Sequence, residues 1–300
     1  MSMALTQQQK DDLMAVVDRT GGHREVNLKT RVIPESYKAY QDQCIRTEHT
    51  LSFPGLTPLR VIVTMPEKRG QDMPLHVNYH GGGFIFPQNE DDDLYCAHLA
   101  AAAGAVVVDV DYAVCPGEVY PMAVNQSWEA AKWAFGHCAE WGCDEKRFSV
   151  GGSSAGGNLA FTVALRNQEE KALKICLLAL EYAATDLYQS IEDPAQERSA
   201  AFSRLYADDE ISLLKDPMLS PVFATDEQLS RMPETLIVAP KLCPFYACNN
   251  KLGMRMADQG VKVTFHTYPH GTHGFTIRMA GDDWLKSQND VIQAIRSASL

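Results

Sequence analysis

The chain has 300 residues, 45% of them hydrophobic, which suits one large α/β domain with an insertion or two small domains. Its formal net charge is −11 without any basic cluster, so nucleic acid is not an expected partner. No stretch approaches the ~18 apolar residues of a membrane span, and the N-terminus lacks the apolar run of a signal peptide. We therefore expect a cytoplasmic protein with no membrane span.

Two short helices are predicted before the first strand. Residues 6–19 place apolar side chains at helical spacing behind Thr6, a suitable N-cap, and Gly21 and Gly22 would end this helix. A second short helix is predicted over residues 34–43, which completes an N-terminal segment of residues 1–44.

Beyond this segment, strands alternate with helices. Strands are predicted over residues 44–53, 59–65, 75–79, 105–110, 174–180, 235–239 and 261–268, and another ends at Val150. Helices are predicted over residues 121–138, 159–165 and 282–297, and the acidic run at 90–93 begins another, because carboxylates favour the first turn of a helix. This alternation predicts an α/β fold with a mostly parallel sheet and helices on both faces.

Residues 187–231 break this pattern, because short helical fragments separated by prolines replace the expected strand. A stretch of this length without a strand predicts an insertion that covers another part of the molecule. Eight cysteines are scattered along the chain, and the pairs Cys138/Cys143 and Cys243/Cys248 lack the C-x-x-C spacing of a zinc site. We expect reduced, structural thiols and no metal.

A glycine-rich turn follows the strand that ends at Val150. Residues 151–158 read GGSSAGGN, which contains G-x-S-x-G with Ser154 at its centre, and a helical pattern follows. A serine on such a strand-to-helix turn is held out from the backbone, where a substrate can reach its hydroxyl. Taken alone, the motif fits a structural turn that packs a helix on a sheet equally well.

Two further motifs favour chemistry at this turn. Residues 80–84 read HGGGF directly after a predicted strand, and such glycines let backbone N–H groups point at a developing negative charge. Residues 270–275 read HGTHGF after the last predicted strand. A serine followed much later by a histidine is the order found in hydrolases with this serine turn.

These motifs make the chain similar to the hormone-sensitive-lipase-like branch of the α/β-hydrolase superfamily. The resemblance covers most of the chain after about residue 45. It implies an α/β-hydrolase fold with Ser154 as nucleophile and His273 as general base. It also implies an oxyanion hole formed by the amides of Gly82, Gly83 and Ala155. Residues 1–44 and the insertion at 187–231 would form a small helical cap.

The chain departs from this family at the third member of the triad. The family has an acid after the strand predicted at 235–239, in a pattern ending Asp-Pro-Leu, and here Cys243 stands in its place. At the position directly before the nucleophile, where the family usually has an acid, this chain has Ser153. A neutral thiol is a weak hydrogen-bond acceptor and does not stabilise an imidazolium as a carboxylate does.

Three hypotheses follow from this departure. Another acid substitutes, and Asp186 is the candidate because it follows a strand that ends at the same edge of the sheet. Alternatively, Ser154 and His273 work as a slow dyad, since residual catalysis survives loss of the triad acid. In the third hypothesis the pocket no longer hydrolyses esters, and it binds a small molecule or performs an elimination.

The interpretation that best fits the intact motifs is a carboxylesterase acting on short-chain esters through an acyl-enzyme, without cofactor or metal. Phe84, Phe86 and the cap predict a closed, apolar pocket for a small-molecule ester. The alternative is a catalytically weakened or non-hydrolytic binder in the same pocket. The pattern leaves the oligomeric state open, with a homodimer as one option.

Overall fold

A computed structural model describes residues 4–20 and 33–300 of the chain. In the described residues one sheet of eight strands forms the centre of the molecule. Its strands are β1 (Cys44–Leu51), β2 (Leu59–Pro66), β3 (Met73–Tyr79), β4 (Val106–Asp111), β5 (Cys143–Ser153), β6 (Ile175–Glu181), β7 (Glu234–Leu242) and β8 (Val263–Thr272).

The sheet is mostly parallel. The strands lie in the order β1-β2-β4-β3-β5-β6-β7-β8, and only β2 runs antiparallel to its neighbours, β1 and β4. Strand β3 is buried along its whole length, as expected for a strand covered on both faces. The predicted α/β class with a mostly parallel sheet is therefore confirmed.

Helices cover both faces of the sheet. The longer ones are α1 (Gln7–Arg19), α3 (Glu90–Ala103), α4 (Met122–Gly136), α6 (Ala155–Glu170), α8 (Glu197–Tyr206), α10 (Tyr246–Asp258) and α11 (Trp284–Ser297). Short helices are α2 (Glu35–Lys38), α5 (Cys138–Trp141), α7 (Gln189–Glu192) and α9 (Asp226–Ser230). Along β6, Leu178 and Leu180 pack on one face with α6, whereas Leu177 packs on the other with α11. Alternate side chains of β6 thus point to opposite faces of the sheet and pack in the hydrophobic core on each side.

The carboxyl ends of four neighbouring parallel strands meet at one edge of the sheet. Ser153, the last residue of β5, is paired with Glu181 at the end of β6, and Leu242 of β7 is paired with Thr272 of β8. Each strand is followed immediately by a side chain of interest: Ser154, Tyr182, Cys243 and His273. Parallel pairing therefore brings together residues that lie far apart in the sequence.

Helix α8, within residues 187–231, packs against the N-terminal helix α1. The backbone N–H of Leu5 donates to Asp208 Oδ1 at 3.1 Å, and Arg19 forms an ion pair with Glu197. The two segments that the resemblance assigns to a cap are thus joined in the described part of the chain.

Several element boundaries differ from the sequence predictions. Helix α10 was not predicted, because Asn249, Asn250 and Gly253 are poor helix formers. Gly253 packs closely in this helix, since a Cβ at this position would lie 2.5 Å from the Phe265 ring. The predicted helix at 121–138 is split into α4 and α5, and the one at 34–43 ends as a 3₁₀ turn. The glycines expected to end α1 lie outside the described residues.

The acidic run at 90–93 begins α3, as predicted, and Asn89 caps that helix. All eight cysteines are free thiols. In the described ranges, no helix combines the length and the apolar character that crossing a bilayer requires.

Candidate active site

Ser154 lies on a strained turn between β5 and α6. Its backbone has φ +53° and ψ −115°, a conformation that side-chain-bearing residues rarely adopt. The turn is held by hydrogen bonds from Ser154 N to Glu181 O and from Ala184 N to Ser154 O, both 2.9 Å long. A Cβ on Gly152 or Gly156 would overlap the carbonyl oxygen of Tyr79, so β3 and the turn approach closely only with glycine.

His273 points one ring nitrogen at this serine. Its Nε2 lies 2.9 Å from Ser154 Oγ. The imidazole also contacts the rings of Tyr182 and Phe245, which meet it edge-on with centroids 5.2 and 5.4 Å away. These aromatic contacts restrict the rotation of the imidazole ring.

Cys243 occupies the other side of the imidazole. Its Sγ lies 3.1 Å from His273 Nδ1 and accepts a hydrogen bond from the backbone N–H of Phe245 at 3.4 Å. Asp186 instead accepts a hydrogen bond from the backbone N–H of Gln189 at 2.9 Å. The structure therefore brings Ser154, His273 and Cys243 into one row and turns the Asp186 carboxylate toward its own loop.

Both partners in the contact between Cys243 and His273 are neutral. Burial raises the pKa of the Cys243 thiol to about 12. Burial, together with the positive charges of Arg278 and Arg198, lowers the pKa of His273 to about 3. Separating charge in this enclosed place is costly, so a thiolate–imidazolium pair is disfavoured. His273 thus has an unprotonated nitrogen at neutral pH, as a general base requires.

The tautomer of His273 decides which nitrogen carries the proton. The Phe245 N–H donates to Cys243 Sγ, so the sulfur already acts as an acceptor. A second donor, His273 Nδ1–H, fits this arrangement and leaves the Nε2 lone pair for the Ser154 hydroxyl. A neutral thiol can therefore select the productive tautomer, although it offers little stabilisation to an imidazolium.

The glycine loop after β3 lies against the serine turn. Gly82 and Gly83 have φ +132° and +65°, in the region that favours glycine, and a Cβ on Gly81 would lie 3.6 Å from Ser154 Cβ. His80 stacks on Tyr112 with ring centroids 4.1 Å apart, which anchors the start of the loop. The backbone amides of Gly82 and Gly83 in this loop, and that of Ala155, the first residue of α6, are the candidate donors to an oxyanion.

Ser154 and His273 line a cavity of about 690 Å³. Of the predicted site residues, Ser154, His273, Gly82, Gly83 and Asp186 line it, whereas Ala155 and Cys243 lie behind its surface. Phe86 and Phe202 form part of an apolar wall, and the two rings meet edge-on at 6.2 Å. This volume suits a small ligand.

Sequence reasoning did not identify several residues of the cavity. Arg198 and Phe202 lie on α8 and Arg278 follows the His273 loop, and all three line the cavity. No local motif marks the two residues of α8. Arg278 is five positions after His273, so proximity in sequence was the one signal that could have indicated it.

Comparison with known proteins identifies the family. The sequence profile of a family described as the alpha/beta hydrolase fold matches residues 76–277. Esterase LipI of Mycobacterium tuberculosis is 32% identical over 214 residues, which cover 68% of this chain and 66% of LipI, just under two thirds of that relative.

Two solved structures share the fold over nearly the whole chain. A hyperthermophilic esterase from the archaeon Pyrobaculum calidifontis superposes with a TM-score of 0.78 at 26% identity, covering 98% of this chain and 99% of the other. Brefeldin A esterase, a bacterial homologue of human hormone-sensitive lipase, has the same fold, with a TM-score of 0.84 at 20% identity over 98% of this chain and 87% of its own. The chain therefore belongs to the α/β-hydrolase fold family, in its carboxylesterase-like branch related to hormone-sensitive lipase.

Proposed function

We propose that the protein hydrolyses short-chain carboxylic esters through an acyl-enzyme in which Ser154 is the nucleophile. The single observation that carries this proposal is the 2.9 Å contact between Ser154 Oγ and His273 Nε2 beside the glycine loop. His273 takes the serine proton as the hydroxyl attacks the ester carbonyl and returns it to the leaving alcohol. A water molecule, deprotonated by His273, then attacks the acyl-enzyme, which releases the carboxylic acid and restores the Ser154 hydroxyl.

The oxyanion that forms during attack is stabilised by backbone amides of Gly82, Gly83 and Ala155. The positive φ angles of Gly82 and Gly83, which let the loop backbone lie close to a ligand, support this role. Donors of this type each contribute on the order of 10²–10³ in rate, because they are fixed before the charge develops. Helix α6 begins at Ala155 and directs its positive N-terminal end toward the same place.

Cys243 serves as a neutral positioning residue for His273. Its contact with Nδ1 supports the productive tautomer, but its thiol gives little help once His273 becomes positively charged. Replacing the triad acid by a neutral group costs roughly 10⁴ in kcat in serine proteases, so slow turnover is expected. Asp186 has no part in this proposal, because the Nδ1 of His273 contacts Cys243 Sγ and the Asp186 carboxylate accepts the Gln189 N–H.

The alternative function is a non-hydrolytic binder, or a pocket in which neutral His273 abstracts a proton in an elimination. The neutral Cys243 favours this alternative, because a pocket without strong imidazolium stabilisation suits binding or a weak base. The strained Ser154 backbone favours the hydrolase, since this conformation costs stability and serves to present the hydroxyl.

Covalent labelling separates these functions. Treatment with a fluorophosphonate should modify Ser154, as mapped by mass spectrometry, and Ser154→Ala should abolish both labelling and ester turnover. Ser297→Ala, on an exposed position of α11, is the matched control and should change neither. An unlabelled Ser154 after long incubation would rule out the hydrolase.

The acyl chain length tests the size of the pocket. We expect p-nitrophenyl acetate or butyrate to be hydrolysed faster than the laurate or palmitate ester, because Phe86 and Phe202 narrow the cavity. A kcat/KM profile that peaks at long chains would contradict the assignment to short esters.

A further inference from the structure

Arg198 lies in the wall of the cavity that contains Ser154. Its guanidinium carbon is 5.3 Å from the centre of the Phe202 ring and 5.9 Å from that of Phe86. Phe202 in turn packs on the glycine loop, since a Cβ on Gly83 would lie 2.5 Å from the Phe202 ring. The aromatic wall therefore holds this positive charge beside the loop that faces the nucleophile.

Arg278 brings a second positive charge to the lining of the same cavity. Its guanidinium packs on Gly274, where a Cβ would lie 3.1 Å from both Nε and Cζ. Gly274 directly follows His273, so this charge stands beside the general base of the proposed reaction. The cap helix and the histidine loop thus each contribute one guanidinium to the same space.

The two cations influence each other and the imidazole. Burial and the nearby charge of Arg278 lower the pKa of Arg198, and both guanidinium groups help to lower the pKa of His273. In the described part of the chain, the Nε of Arg198 is buried and has no hydrogen-bond partner. An unsatisfied buried donor costs free energy, and an anion placed here would recover it.

Two of the carboxylates that line the cavity accept hydrogen bonds from neighbouring groups. Asp186 accepts the Gln189 N–H at 2.9 Å. Asp92 accepts hydrogen bonds from the backbone N and side-chain Nδ2 of Asn89 at 3.0 and 2.8 Å. Burial also raises the pKa of Asp92 well above its usual range, which reduces its negative charge.

We propose that the substrate is a short ester that carries its own carboxylate, such as a monoester of a dicarboxylic acid, and that Arg198 and Arg278 bind this carboxylate. Guanidinium groups present paired N–H donors that match a carboxylate, and the apolar side chains of Phe86 and Phe202 in the same cavity accommodate a short methylene chain. The proposal rests on the proposed ester hydrolysis at Ser154 and adds the class of acyl group. A cavity lined by two guanidinium groups favours an anionic ester over a neutral ester of the same shape.

Matched substrates test this proposal. Monomethyl glutarate and its neutral isostere, methyl glutaramate, differ only in the carboxylate, and methanol release by proton NMR measures both. Wild-type kcat/KM should be about tenfold or more higher for the anionic ester, as expected for charge-assisted hydrogen bonds. Arg198→Gln should reduce this ratio by a similar factor, mainly through KM, whereas Arg198→Lys should retain part of it.

Arg204 provides the matched control. It lies on the same helix, is not a lining residue, and is paired with Asp209 at 2.7 Å. Arg204→Gln should leave the ratio unchanged. Equal turnover of the two esters by the wild-type protein would overturn the proposal, as would an unchanged ratio when Arg198 and Arg278 are both replaced by glutamine.

A binding measurement keeps this test independent of catalysis. Calorimetry on Ser154→Ala should give a Kd for monomethyl glutarate about tenfold or more below that for methyl glutaramate. Adding Arg198→Gln should remove that difference. If this result is obtained while Ser154 resists fluorophosphonate, hydrolysis fails and the anion site stands. If Ser154 is labelled and the two Kd values are equal, hydrolysis stands and the anion site fails.

Discussion

The Ser154 side of the cavity is held by backbone packing, whereas the His273 side is held by contacts between side chains. Around Ser154, glycines allow β3 and the serine turn to approach so closely that any Cβ on Gly156 would overlap the Tyr79 carbonyl. Around His273, the decisive contact is a single sulfur atom, Cys243 Sγ, at 3.1 Å. The glycines around Ser154 cannot be substituted without disturbing the fold. The residue at position 243 can change the chemistry of His273 while the fold is kept.

The largest effect is expected from disturbing the backbone-held side. Gly156→Ala should destabilise the protein by about 3 kcal/mol or more and remove esterase activity, because the added methyl group has no space. Gly136→Ala, at the end of α4, is the matched control, since a Cβ there meets nothing within 4 Å. Urea unfolding measures both changes. A fully stable Gly156→Ala variant would contradict the packing argument.

Restoring a carboxylate on the side-chain-held side should change activity and leave the fold intact. We expect Cys243→Asp to raise kcat on p-nitrophenyl butyrate at least several-fold, because a carboxylate stabilises the imidazolium that forms during attack. The upper limit is about 10⁴, the size of the triad effect in serine proteases. Cys243→Ser, which stays neutral, is the control and should give no increase.

A smaller effect is expected at Asp186. Asp186→Asn should change kcat by less than about threefold, because its carboxylate accepts the Gln189 N–H and asparagine can fill the same capping role. Measured beside Cys243→Asp, this variant separates the two candidates for the third position. A loss of orders of magnitude in Asp186→Asn would identify Asp186 as the working acid.

The same contrast explains how much could be predicted from the sequence. The buried strands have characteristic apolar runs and the serine turn has a glycine spacing that its packing requires, so both were recognisable. The motifs also placed Ser154 and His273 after predicted strands, and the family resemblance placed Cys243 after another. Those signals are local to each segment.

Other features depend on contacts between distant segments and left no local signal. Arg198 faces the cavity only because α8 packs on α1 and over the glycine loop. Helix α10 contains the poor helix formers Asn249, Asn250 and Gly253, but its buried side chains Leu252 and Met256 pack in the core with residues from distant segments. The hydrogen bond of Asp186 to its own loop likewise has no signal in the sequence.

The pH dependence follows from the lowered pKa of His273. The unfolded chain binds this proton near the ordinary value of 6.5 and the folded chain near 3, so the neutral imidazole favours folding above pH 6.5. This contribution is lost as the pH falls from 6.5 toward 3. Between about pH 5 and 8, kcat/KM should therefore show no acid limb from His273, whereas Cys243→Asp should raise the pKa of His273 and introduce one.

The charge and tautomer of His273 are the central claim, and nitrogen-15 NMR of histidine-labelled protein measures both directly. A His273→Gln variant assigns the resonances. Between about pH 5 and 8 we expect a neutral ring with the proton on Nδ1 and a lone pair on Nε2, as the contacts to Cys243 and Ser154 require. An imidazolium throughout this range, or a proton on Nε2, would contradict the role assigned to Cys243.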